Sequence, residues 1–128
     1  MEGYNAKVRY TSKELSPKEK IAIKDTASAE SLDELTENAA ENVVIDYSYH
    51  VIIDVHNEHS DNKDYVKTVV VDKNGTKYVT GSQSFTTQLE DIVNEMTEAG
   101  CADDITIEVY RKESKNYKGK SFITCKLV

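Results

Sequence analysis

Aromatic rings and cations are interleaved near the end of the chain. Tyr110, Tyr117 and Phe122 stand beside Arg111, Lys115, Lys118, Lys120 and Lys126. Flat π faces stack unpaired bases, at about 1–3 kcal/mol per base, while cations follow a phosphate backbone. Residues of these types at this spacing suit a single nucleic-acid strand. Lys67 and Lys77 fall in strand-like segments that would extend the cationic path, with Tyr65 and Tyr78 as further stacking platforms. The plain reading of the same residues is a solvated basic hairpin whose rings pack on neighbouring structure.

Charge sharpens the contrast. The 128 residues carry a net charge of −7, which excludes a uniformly basic surface. The acids are concentrated instead: Glu30, Asp33, Glu34, Glu37, Glu41 and Asp46 occur with no Lys or Arg among them. From Arg111 to Lys126, one Arg and five Lys meet the single acid Glu113. Screening over roughly 8–10 Å lets such a local field attract phosphate in an acidic molecule.

Other chemistries fit poorly. Gly119-Lys120-Ser121 imitates part of a phosphate-binding loop, but position 114 is Ser114 where that motif needs glycine, and a strand pattern follows. His50, Asp54 and His56 alternate onto one strand face. His50 and His56 would lie about 20 Å apart at ~3.3 Å per residue, too far for one metal ion. All three, with His59, are therefore expected to be polar residues turned outward. No nucleophile, base and orienting group can be assembled, so neither enzyme chemistry nor a cofactor is expected. Cys101 and Cys125 have no ligand spacing and read as reduced thiols, Cys125 buried on a strand. With no apolar run near 20 residues and no leader pattern at the start, the expected location is cytoplasmic.

The elements that must position the rings and cations are clearest from Val43 onward. Val43, Ile45, Tyr47, Tyr49, Val51, Ile53 and Val55 alternate along one long strand, which places Tyr47 and Tyr49 in the core. Tyr65 to Asp72 and Thr76 to Thr80 form two more strands, joined through Asn74-Gly75, whose positive φ angles suit a tight hairpin. Phe85, Leu89, Ile92, Val93 and Met96 then make the stripe of an amphipathic helix stopped by Gly100. Ile105, Ile107 and Val109 mark a fourth strand, and Ile123, Cys125 and Leu127 a fifth. Tyr110 and Phe122 fall on the strand faces opposite these apolar sets.

Three strands, a helix and two strands is the connectivity of the OB fold, a small barrel that binds oligonucleotides and oligosaccharides. The expected class is mainly β (α+β), a five-stranded OB-like barrel over 43–128 with an amino-terminal extension, 1–42, packed on it as one domain. Within the extension, Lys7 to Thr11 and Lys20 to Lys24 read as short strands, and Ser31-Leu32-Asp33-Glu34 as a capping box opening a short helix.

Thr80-Gly81-Ser82-Gln83-Ser84-Phe85 and Ser114 through Cys125 resemble small proteins of phages and prophages of Gram-positive bacteria. Asp61-Asn62-Lys63-Asp64-Tyr65, Asp72-Lys73-Asn74-Gly75-Thr76 and Tyr10 through Leu15 are similar to the same group. The barrel layout extends the resemblance to phage single-stranded DNA-binding proteins. It implies a non-catalytic accessory of DNA replication or recombination in the bacterial host cell, with single-stranded DNA as ligand, replication or recombination proteins as further partners, and room for an oligomer. Bacterial single-strand binding proteins end in an acidic docking tail, whereas this sequence ends in Cys125-Lys126-Leu127-Val128, so recruitment through such a tail is not expected. The competing expectation is a phage-encoded interaction module or inhibitor of a host enzyme that docks through the acidic segment. A carbohydrate- or nucleotide-binding barrel comes third.

Overall fold

The structure, a computed structural model, describes residues 3–38, 42–113 and 121–128. In chain order its elements are β1 (Tyr4–Thr11), α1 (Pro17–Lys24), β2 (Glu30–Ser31), α2 (Leu32–Asn38), β3 (Val43–Asn57), β4 (Asp64–Asp72), β5 (Lys77–Thr80), α3 (Gln83–Glu98), β6 (Thr106–Glu113) and β7 (Ser121–Leu127). From β3 onward this is the expected order of three strands, a helix and two strands. Hydrogen bonding orders the strands β2-β5-β4-β3-β6-β7, with β1 also paired to β3. The fold is mainly β and compatible with an OB-like layout plus a helix.

The chain forms two compact units, Met1–Glu30 with Tyr49–Gly81, and Ser31–Ser48 with Ser82–Val128. In the first, β1 runs antiparallel to the later half of β3, from Tyr4 opposite Asn57 to Thr11 opposite Val51. Leu15, Ile23, Val51, Ile53, Val55, Val69 and Val71 make its core, with Tyr4, Val8, Tyr49 and Tyr65 packed against them. The β4–β5 hairpin turns at Gly75, which alone of its turn residues has positive φ, +88°. Asn74 does not share that conformation. Instead Asp72 Oδ1 accepts from the backbone N–H of Asn74 and Thr76, at 2.9 and 2.8 Å, so one aspartate side chain does the work expected of a second left-handed residue.

Two expectations fail in this unit. Lys20 to Lys24 is not a strand but lies in α1. Ser16 accepts from the Glu19 N–H while Glu19 accepts from the Ser16 N–H, and Pro17 fills the first helical position, so the capping box overrides a two-residue alternation. Only Ile23 of that helix is buried, and Ile21 is 70 % exposed. His50 does not face outward either. At 1 % exposure it is enclosed, because β3 is buried on both faces from His50 to Ile53. The Tyr10 ring lies 5.5 Å away, and burial lowers the His50 pKa to about 4.

The second unit holds α2, the first residues of β3, α3, β6 and β7. Ser82 caps α3 by accepting from the Phe85 N–H, and Gly100, with φ +77°, follows the Ala99 cap. Phe85, Leu89, Ile92 and Val93 are buried along the expected stripe. The start of β3 pairs with β6, Val43 opposite Val109 and Ile45 opposite Ile107, and β6 pairs with β7. Ile105, Ile107, Val109, Ile123 and Cys125 are buried. Both cysteines are free, and burial pushes the Cys125 thiol up to about 12. Among the described residues no helix is long and apolar enough to cross a membrane.

Candidate nucleic-acid interface

Residues directly opposite each other on paired strands point to the same face. In the β6–β7 ladder, Glu108 lies opposite Lys126, Tyr110 opposite Thr124 and Lys112 opposite Phe122. These six alternate with Val109, Ile123 and Cys125, which are buried. Tyr110 and Phe122 are half-buried, Lys112 and Lys126 exposed. One outer face thus carries two accessible rings and two cations. The Lys126 ammonium lies 5.6 Å from the Tyr110 ring centroid and 3.3 Å from Glu108 Oε2. Glu108 Oε1 accepts from Asn42 Nδ2 at 2.7 Å. Asn42 first, then Lys126, hold the Glu108 carboxyl below the usual range.

The structure therefore brings together Tyr110, Phe122 and Lys126. It adds Lys112, which sequence reading passed over although it sits two residues from Tyr110, in phase with it. Arg111 falls out of phase, on the face of Ile123. Its guanidinium donates to Thr36 Oγ1 at 3.2 Å, the Asp33 carbonyl at 3.0 Å and Ser121 Oγ at 3.2 Å, tying β6 to α2. Lys115, Tyr117, Lys118 and Lys120 lie outside the described residues, in the connection between β6 and β7.

Lys67 and Lys77 belong to the first unit, where both reach the end of α1. Lys77 Nζ donates to the Asp25 and Ala22 carbonyls at 3.3 and 3.5 Å, where a helix terminus favours a cation. Lys67 Nζ donates to Thr26 Oγ1 at 3.3 Å and lies 5.8 Å from the Tyr65 ring. Tyr65 is half-buried against the core. Tyr78 is half-buried too, and desolvation, reinforced by Asp72 and Glu30, raises its pKa.

The first unit also has an open cleft of about 470 Å³ lined by Asn5, Lys7, Arg9, Asp54, His56, Asp64 and Tyr65 with Val55 and Val66. Its cations are largely answered from within. Arg9 pairs with Asp54, its Nε 3.0 Å from Oδ2. His56 sits between Asp64 and Glu58, hydrogen bonds that raise its pKa. A cleft so supplied with carboxylates suits a polyanion less well than the β6–β7 face. Both ring nitrogens of His56 are engaged, and among the described residues no group of three or more His, Cys, Asp or Glu is arranged to hold a metal ion.

The mainly β order, with α3 between β5 and β6, agrees with what comparison finds. Residues 7–128 match the phage single-stranded DNA-binding protein family of the phi29 type. The chain belongs to that family. The match begins within β1 and continues through β7, so it spans β6, β7 and the sequence between them. No curated protein and no solved structure matches the chain. The family is a DNA-binding one.

Proposed function

We propose that this protein binds single-stranded DNA, largely without regard to sequence, on the outer face of β6 and β7 and on the connection between them, and serves phage replication or recombination as a non-catalytic accessory. The observation that carries the reading is the phase of the β6–β7 ladder. Tyr110, Lys112, Phe122 and Lys126 share one accessible face while the apolar set is buried. Rings there stack bases, and cations there meet phosphates, without selecting among bases, because every base has a π face. Lys115, Tyr117, Lys118 and Lys120 extend the same chemistry along the connection. Arg111, Lys67 and Lys77 are left to structural work by this reading. Membership of a phage single-stranded DNA-binding family supports it independently.

A titration with fluorescent oligo-dT at two salt concentrations tests the proposal. Binding that weakens as salt rises is expected, since phosphate contacts release counterions. Failure to bind oligo-dT at low salt overturns it and leaves the interaction-module reading in its place.

A further inference from the structure

The outer face of β6 and β7 contains one acid among its cations, and its arrangement is specific. Glu108 and Lys126 are opposite one another in the ladder, with Oε2 and Nζ 3.3 Å apart. The other carboxylate oxygen is held by Asn42 at 2.7 Å, so the acid is fixed at both ends. The Glu108 side chain is 24 % exposed and that of Lys126 57 %, which makes the lysine the freer partner. The same ammonium lies over Tyr110, where a stacked base would bring its phosphate.

We propose that Glu108 is a built-in substitute for phosphate: it occupies Lys126 in the free protein, and a DNA phosphate must displace it to take the lysine. This rests on the outer face being the DNA contact. Exchanging one anion for another at Lys126 gains less than pairing a free cation. Glu108 therefore lowers affinity and speeds release, useful for a protein that must leave the strand when the strand is copied or paired. Asn42 keeps the carboxylate aimed at the lysine and ready to recapture it.

The test is a double-mutant cycle with Glu108→Gln and Lys126→Gln, read by oligo-dT affinity and by the dissociation rate after rapid mixing with excess competitor. Glu108→Gln keeps an oxygen for Asn42 and removes the charge. It should tighten binding roughly two- to fivefold at low salt, the scale of an exposed ion pair, and slow release. In the Lys126→Gln background the same change should have little effect. Equal tightening in both backgrounds means that Glu108 merely repels the strand, and overturns the proposal. So does unchanged affinity in Glu108→Gln while Lys126→Gln weakens binding. If Lys126→Gln and Tyr110→Ala both leave affinity unchanged, the DNA contact itself lies elsewhere, and the inference falls with it.

Discussion

At the scale of single residues, stacking and attraction can be separated by changes that leave charge alone. Tyr110→Ala removes a ring beside Lys126 but no charge. Oligo-dT binding should weaken by about 1–3 kcal/mol for a ring that stacks a base. Tyr117→Ala, in the connection, should behave alike. If both variants bind as the parent does, the rings do not stack bases. A second residue-scale expectation concerns His50. Its folded-state pKa of about 4 lies below the ordinary 6.5, because burial disfavours the charged form. The unfolded chain therefore takes up the proton first as pH falls. The stability concerned is fully present above pH 6.5 and is lost progressively towards pH 4, roughly 3 kcal/mol in all. His56 works the other way, since its two carboxylates raise its pKa: its contribution is present at low pH and lost as pH rises through the raised value. Proton NMR of the imidazole signals checks both. A His50 resonance that titrates near 6.5 in the folded protein would refute its assignment as an enclosed, neutral ring.

At the scale of elements, legibility followed the length of the pattern. β3, the hairpin of β4 and β5, α3, and the last two strands each repeat a period often enough for the sequence to announce them. Tyr110 and Phe122 could be placed outward from that alternation alone. Ile21 and Ile23 offered only two points, and two points fit a strand or a helix equally well. The decisive signal there was Ser16-Pro17 followed by Glu19, a local capping box. His50 was illegible for another reason: alternation tells which residues share a face, and in the middle of β3 both faces are covered. The tether made by Arg111 is illegible for a related reason. Its partners Asp33 and Thr36 lie 78 and 75 residues away, and no local pattern reveals such a tether. A prediction follows for that tether. Arg111→Gln removes donors to Thr36, the Asp33 carbonyl and Ser121, and should cost about 1–3 kcal/mol of stability in urea unfolding, the scale of charge-assisted hydrogen bonds at a partly exposed site. Its oligo-dT affinity and salt dependence should stay close to those of the parent. A large loss of DNA affinity at unchanged stability would return Arg111 to the interface.

At the scale of the whole molecule the question is how a protein of net charge −7 holds a polyanion. The α2 segment that carries Asp33 and Glu34 is tethered to β6 by Arg111, out of phase with Tyr110 and Lys126 and so on the other face of the ladder, and salt screens charge less completely the nearer it lies to the strand. Affinity should therefore depend on the local cations and be insensitive to the total. Neutralising Lys115, Lys118 and Lys120 together with glutamine changes the net charge by three, and its effect on salt dependence tells contact from background. For single strands the logarithm of affinity falls with the logarithm of salt at about 0.7 per phosphate neutralised. If all three lysines contact phosphates, the slope should flatten by about 2 and affinity should drop most at low salt. Three lysines that only bias the general field would lower affinity while leaving the slope nearly as it was. Duplex DNA of equal length supplies the complementary measurement, because its bases are already stacked and cannot reach Tyr110 or Phe122. It should bind more weakly than oligo-dT to the parent, and the gap should narrow in Tyr110→Ala. A duplex that competes as well as the single strand, with no gap to narrow, would make the basic connection a matter of charge alone and would favour a protein-docking role for the chain.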